Sequence, residues 1–369
     1  MFNIFNQSSR TNLSNIKLML RTAKGLFDNN IRHKPTPLFL YLKVTTRCNA
    51  RCWFCNAYAR SAENELSLEE LCGLIDQATA LGCTVLCTTG GEPLVRKDLP
   101  KIFEYAQSKD MWIQLYTNAY YLEKRIPDIG KFTDSLLVSL DFPDKRHDKI
   151  RGHNGAFDRA IRGIKASKDH VSLTMINCVI NQTNLADLEK MVLLAQRLDV
   201  SITFGPLQEH YYLPDEVRIK DPDDLRTAID RLIEMKKSGY PILDSIQFLE
   251  FIKNPVRFNC YTNRIMLPID WEGKIEYMCP LLYEARAGDI RKKPLRELWF
   301  SERLERFRRF TPSCENYMNC GDNAVVELSQ LSSLSPLIAI GFVRDFIKFR
   351  NTGKGRGKLA PRERHDDKN

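Results

Sequence analysis

The sequence predicts an α/β protein: a partial (β/α)6 TIM-like barrel followed by a small α+β module built from a hairpin and a helix. Three observations carry this reading. Apolar runs that read as strands begin near Phe39, Val85, Trp112, Leu136, Val171 and Ile202, and each is followed by a segment whose apolar residues fall at helical spacing. Strands alternating with helices pair in parallel through right-handed crossovers, and such a sheet closes or partly closes into a barrel. Beyond residue 240 the alternation stops, and a strand, a tight turn and a second strand precede a helical stretch. With 369 residues, 43% apolar and 27% charged, the chain can fill the core of one large domain and an appended one.

Residues 1–37 read as a basic amphipathic N-terminal helix. Leu13, Ile16, Leu20, Ala23 and Phe27 share one face, and Lys17, Arg21 and Lys24 share another. Such a helix either caps the bottom of the barrel or lies on a membrane surface. The barrel follows over 38–240. Its first strand leads into Cys48-Asn-Ala-Arg-Cys52-Trp-Phe-Cys55. Three thiolates at this spacing can hold three irons of a cubane and leave the fourth open. A zinc site normally takes four ligands in a closed tetrahedron, and no fourth ligand is near in sequence. In a parallel sheet the reacting groups gather at the C-terminal strand ends, so this loop is expected at the mouth. Ser67-Leu-Glu-Glu opens the next helix with a capping box. The second strand ends in Gly90-Gly-Glu-Pro-Leu94, where paired glycines permit close backbone approach to a ligand and Pro93 stops the strand.

Residues 241–259 read as a linker helix, and a second module is expected over 260–325. Cys260 and Cys279 flank the predicted hairpin, and a helix over 289–310 brings the chain back to Cys314 and Cys320. Four such ligands complete a cluster or a zinc site. Cys72, Cys83, Cys87 and Cys178 fall on helix or strand patterns and read as small core residues. Residues 326–369 form an amphipathic helix and a basic tail. The apolar stretch 334–349 is shorter than the ~20 residues that span a bilayer, so it suits an interfacial helix or one packed on the barrel.

Eleven cysteines without a signal peptide point to a reducing cytoplasm, where clustered cysteines are metal ligands more often than disulfides. Of the formal charge of +9, residues 1–36 contribute +5 and residues 344–369 another +5, leaving −1 for the body. Basic ends on a neutral body suggest contact with something anionic. A membrane surface at its inner face fits better than nucleic acid, because the basic residues lack interleaved aromatics.

Cys48, Cys52 and Cys55 with Phe54, then Thr89-Gly-Gly-Glu-Pro-Leu94, Tyr116-Thr-Asn-Ala119, Ser139-Leu-Asp-Phe-Pro and His147-Asp-Lys-Ile-Arg-Gly152, resemble the radical SAM superfamily over residues 38 to about 210. The resemblance implies a 4Fe-4S cluster whose open iron binds S-adenosylmethionine, which is reductively cleaved to a 5′-deoxyadenosyl radical that abstracts hydrogen. By the same resemblance Phe54 packs near the adenine, Gly90, Gly91 and Glu92 meet the methionine amino group, and Ser139 contacts the ribose or carboxylate. Arg151 then pairs with the carboxylate, while Asn177 and Phe204 reach the ribose and adenine. The second cysteine set, with Ala287-Gly-Asp-Ile and Leu295-Arg-Glu-Leu-Trp299, resembles a Twitch (half-SPASM) domain. It implies one auxiliary 4Fe-4S cluster on Cys260, Cys279, Cys314 and Cys320. Family partners include a reducing protein such as flavodoxin or ferredoxin. The basic amphipathic ends point to a lipid or lipid-linked substrate at a membrane surface. Peptide maturation and sugar or aminocyclitol dehydrogenation are the alternatives within the enzyme class, and a non-catalytic iron-sulfur scaffold lies outside it.

Overall fold

The computed structural model describes residues 12–207, 213–256, 260–277, 279, 282 and 285–310. Cys314, Cys320 and the stretch 334–349 lie outside the described residues. After α1 (Asn12–Asn30), six strands alternate with helices: β1 (Phe39–Lys43), α2 (Leu68–Leu81), β2 (Val85–Thr89), α3 (Leu99–Ser108), β3 (Trp112–Thr117), α4 (Leu122–Ile129), β4 (Ser135–Ser139), α5 (Arg146–Arg151), α6 (Ala156–Ser167), β5 (Leu173–Ile180), α7 (Leu188–Leu198), β6 (Ser201–Pro206) and α8 (Pro222–Lys237). All six pair in parallel in chain order, and the sheet stays open, as a partial barrel does. The predicted capping box forms: Ser67 accepts from Glu70 N, and Glu70 in turn accepts from Ser67 N.

β2 and β4 are buried on both faces along nearly their whole length, which explains their near-continuous apolar runs, while β1 alternates buried with half-buried residues. On the convex face Leu40, Leu42, Leu86, Ile113, Leu115, Val138 and Ile176 meet the apolar stripes of α2, α3, α4, α6 and α7 in one contiguous core. Burying a side chain of this size stabilises the fold by roughly 1.5–3 kcal/mol. The concave face carries larger and more polar groups. Val85, Cys87 and Trp112 cluster there with Phe39, Tyr41 and Tyr116, and Leu18 of α1 fills the space between them.

Helix α1 thus caps the barrel, but not through the face expected from its apolar residues. The packed face is Asn15, Leu18, Thr22, Gly25 and Asn29. It is held by polar bonds: Thr22 Oγ1 to Thr84 Oγ1 (3.0 Å), Arg21 to the carbonyls of Cys83 (2.7 Å) and Lys109 (2.9 Å), and Asn29 Nδ2 to the Thr36 carbonyl (2.7 Å). Leu13, Ile16, Leu20 and Phe27 are 48–66% exposed, and Ile31 is 64% exposed. Among the described residues no helix is long and apolar enough to cross a membrane.

Past α9 (Ile246–Lys253) and the short α10 (Thr262–Ile265), the hairpin does not form a sheet of its own. β7 (Met266–Ile269) pairs in parallel with β1, and β8 (Lys274–Glu276) and β9 (Arg286–Asp289) continue outward antiparallel, giving nine strands in the order β6-β5-β4-β3-β2-β1-β7-β8-β9. The helix expected over 289–310 is two, α11 (Leu295–Trp299) and α12 (Glu302–Phe310). Trp299 Nε1 donates to the Pro35 carbonyl (3.1 Å), so this module also touches the chain just after α1.

Candidate active site

β1 delivers the chain to the mouth of the sheet, and the Cys48–Cys55 loop crosses it. Four backbone hydrogen bonds fix the loop and the chain entering it. On one side Arg51 N donates to the Arg151 carbonyl (3.1 Å) and Trp53 N to the Ile150 carbonyl (3.1 Å), tying it to the last turn of α5. On the other, Gly91 N donates to the Thr45 carbonyl (2.7 Å) and Glu92 N to the Arg47 carbonyl (2.9 Å). Gly90 has φ +133°, and a Cβ there would overlap the Thr45 carbonyl oxygen; one on Gly91 would overlap the carbonyls of Thr46 and Arg47. The close approach expected of this glycine pair is therefore made to the backbone of the cysteine loop itself.

Each sulfur has a donor beside it. Ala50 N lies 3.4 Å and Asn118 Nδ2 3.9 Å from Cys48 Sγ, Arg151 Nη1 4.0 Å from Cys52 Sγ, and Ala57 N 3.4 Å from Cys55 Sγ. Burial pushes the Cys48 thiol up to about 12 and raises that of Cys52, so as free thiols both stay protonated at neutral pH and metal ligation would release those protons. Among the described residues no three His, Cys, Asp or Glu side chains are gathered tightly enough to share one ion. A cubane places each thiolate on its own iron and accepts wider spacing. Next in the chain after Cys48, Asn49 Nδ2 is buried without a partner, a donor that a group bound at this loop would satisfy. The residues fit a three-thiolate cluster.

Behind the loop stands a buried ion pair that sequence reading missed. Arg151 Nε donates to Asp141 Oδ2 (2.7 Å), and Nη2 lies 2.6 Å from the same oxygen. Although burial opposes its charge, the Asp141 carboxylate and the Cys52 sulfur lift the Arg151 guanidinium above its ordinary value. Arg151 also lies 5.2 Å from the Phe54 ring centroid. Asp141 is therefore the carboxylate that Arg151 meets within the chain, a partner the sequence reading did not assign to it. The signal was available: Asp141 sits two residues past Ser139, at the exit of β4. His147, also buried, accepts from Asp141 N through Nδ1 (3.2 Å) and is held neutral by burial and by Arg151.

Glu92 is a correction to the expected site. Its side chain is fully buried and takes Thr117 Oγ1 (2.7 Å), Asn118 N (2.7 Å) and Leu94 N (3.0 Å), which locks the exits of β2 and β3 together and leaves it no face toward the mouth. Burial outweighs these donors and raises its pKa from 4.5 to about 7. The sign follows from linkage: the folded state holds this proton more tightly, so the contribution to stability is full below 4.5 and is lost as pH rises through about 7. Glu92→Gln should flatten that part of the thermal-stability profile. It should also lower stability by about 1–3 kcal/mol, because an amide NH2 would face a backbone donor.

Phe204 is a second. Its side chain is fully buried in the convex, helix-facing core. The register instead aligns Ser139 with Asn177 and Asn177 with Thr203, so these three share one face, Ser139 at the C-terminal end of β4 and the other two mid-strand. Ser139 and Asn177 are half-buried there, while Thr203 donates to Asp244 (2.6 Å). Of the second cysteine set, Cys260 and Cys279 flank the antiparallel β7–β8 pair at the same end. Cys260 packs by Leu38, at the start of β1. Cys260 and Cys279 therefore lie toward the end of β1 opposite the Cys48–Cys55 loop, and the five residues of β1 rise about 17 Å.

Comparison with known proteins gives this geometry its context. Residues 42–195 match the radical SAM superfamily model, and residues 260–321 match that of an iron-sulfur cluster-binding domain. The chain belongs to the radical SAM superfamily. As a radical SAM enzyme it uses a 4Fe-4S cluster and S-adenosylmethionine, with auxiliary iron-sulfur binding in its C-terminal module. It is 26% identical to an AdoMet-dependent heme synthase of Methanosarcina barkeri over 77% of this chain and 88% of that one. It is 37% identical to an Fe-coproporphyrin III synthase of the same organism over 39% of this chain, spanning 37% of that protein's length. Streptococcus suis SuiB bound to S-adenosylmethionine shares the fold with a TM-score of 0.62 at 17% identity, over 86% of this chain and 80% of that one.

Proposed function

We propose that this enzyme abstracts hydrogen from an unactivated C–H bond of a lipid or lipid-linked substrate at a membrane surface. When bound, the cluster and S-adenosylmethionine supply the 5′-deoxyadenosyl radical. Cys48, Cys52 and Cys55 would hold the cluster. Arg151, backed by Asp141, would stabilise thiolate charge at Cys52, and Asn118 would do so at Cys48. Gly90 and Gly91 fix the loop, and Ser139 and Asn177 line the face where the cofactor and substrate would meet. Cys260 and Cys279, with Cys314 and Cys320, would hold the auxiliary cluster.

The observation that carries the substrate class is α1. It closes the barrel with one face and presents Leu13, Ile16, Leu20, Phe27 and Ile31 to solvent with the other, beside Lys17 and Lys24. An exposed apolar row flanked by cations suits an anionic interface. A second reading, a tetrapyrrole substrate, is favoured by the heme synthase similarity, which extends over 88% of that relative. The two separate in one experiment: 5′-deoxyadenosine release by the reconstituted enzyme with dithionite, in the presence of either a bacterial lipid extract or an iron-porphyrin carboxylic acid. Stimulation by lipid alone is expected; stimulation by porphyrin alone rejects the lipid reading.

A further inference from the structure

A cavity of about 230 Å³ opens where the C-terminal half of α1 meets α2 and α11. Its lining includes Arg21, Lys24, Lys34 and Arg296, against a single carboxylate, Asp28. That carboxylate is already neutralised: Lys24 Nζ lies 2.8 Å and Arg32 Nη1 3.3 Å from its oxygens. Arg21 is fixed by the carbonyls of Cys83 and Lys109, while Lys34 and Arg296 are exposed and form no salt bridge among the described residues, Lys34 acting on Asp28 only through its field. Thr79, also in the lining, has its hydroxyl buried without a hydrogen-bond partner. A concave site with surplus positive charge asks for a compact oxyanion. At under 300 Å³ it is too small for a nucleotide cofactor but suits a headgroup.

The position of the cavity on α1 names the source of that oxyanion. At 100° per residue, Arg21, Lys24 and Asp28 fall between the packed face (Leu18, Thr22, Gly25) and the exposed apolar row (Leu20, Phe27, Ile31). A ligand with its phosphate in the cavity would have its apolar part beside that row. Phe300, 39% exposed under Arg296, extends the apolar rim on the far side.

We propose that this cavity binds the phosphate of an anionic lipid headgroup; this rests on the membrane reading above and assigns it a site. Full-length protein would be co-sedimented with phosphatidylcholine vesicles, with and without phosphatidic acid. The double substitution Lys34→Glu with Arg296→Glu should weaken binding to the phosphatidic acid vesicles at least about tenfold and leave the weak binding to phosphatidylcholine unchanged. Leu20→Glu with Phe27→Glu should abolish binding to both. Preference for phosphatidic acid retained in the charge variant overturns the cavity assignment and leaves the membrane reading standing. No binding of the wild type to either vesicle overturns both. Saturable binding of free glycerol 3-phosphate, together with no vesicle preference, overturns the lipid source in favour of a soluble phosphate ester.

Discussion

Gly90→Ala should cost this enzyme its cluster loop. The backbone at Gly90 sits at φ +133°, which a residue with a Cβ adopts only under strain of about 1–3 kcal/mol. The added methyl would also overlap the Thr45 carbonyl, a backbone atom that cannot swing aside as a side chain would, and overpacking costs a further ~1–3 kcal/mol. The strain falls where β2 holds the chain entering the cysteine loop, so reconstituted iron should drop along with thermal stability. Gly73→Ala is the matched control. It lies exposed in α2 with open space around its Cβ, and there alanine should stabilise by about 0.5–1 kcal/mol. Equal effects of the two substitutions would contradict this account of Gly90.

Arg151→Met should be comparably severe for a different reason. Asp141 is fully buried and receives two guanidinium contacts plus the Val179 amide, so removing Arg151 leaves an uncompensated buried carboxylate at a cost of about 3–5 kcal/mol. Asp141→Asn strands the guanidinium instead, and the double substitution should recover part of either loss, which a double-mutant cycle measures. The functional signature is separate from stability. Without a cation 4.0 Å from Cys52 Sγ, the reduced cluster loses electrostatic support, and its potential in an EPR-monitored titration should move to a more negative value. An unchanged potential would reduce Arg151 to a structural role.

How much of this was legible in the chain differs by feature. Six strand–helix alternations, the Ser67 capping box and the three-cysteine loop rest on local spacing, and they are where the sequence places them. The side chains of Glu92 and Phe204 were harder. A parallel strand buried on both faces lacks the alternation that marks inside from outside, so Phe204 reads as well for the mouth as for the helix layer. The same holds for α1, where counting apolar residues selects the exposed face because the packed face is secured by Thr22, Arg21 and Asn29 through hydrogen bonds. The β1–β7 pairing joins residues more than two hundred positions apart, and β9 is only four residues with charges at both ends; neither leaves a local signal.

The central claim is that Cys48, Cys52 and Cys55 hold a cluster open to S-adenosylmethionine. It is tested most directly by 5′-deoxyadenosine formation after anaerobic reconstitution and dithionite reduction. The wild type should form it with methionine as co-product, and Cys48→Ala, folded by circular dichroism, should form none. Equal amounts from both proteins, or none from a wild type carrying its iron, would contradict the assignment.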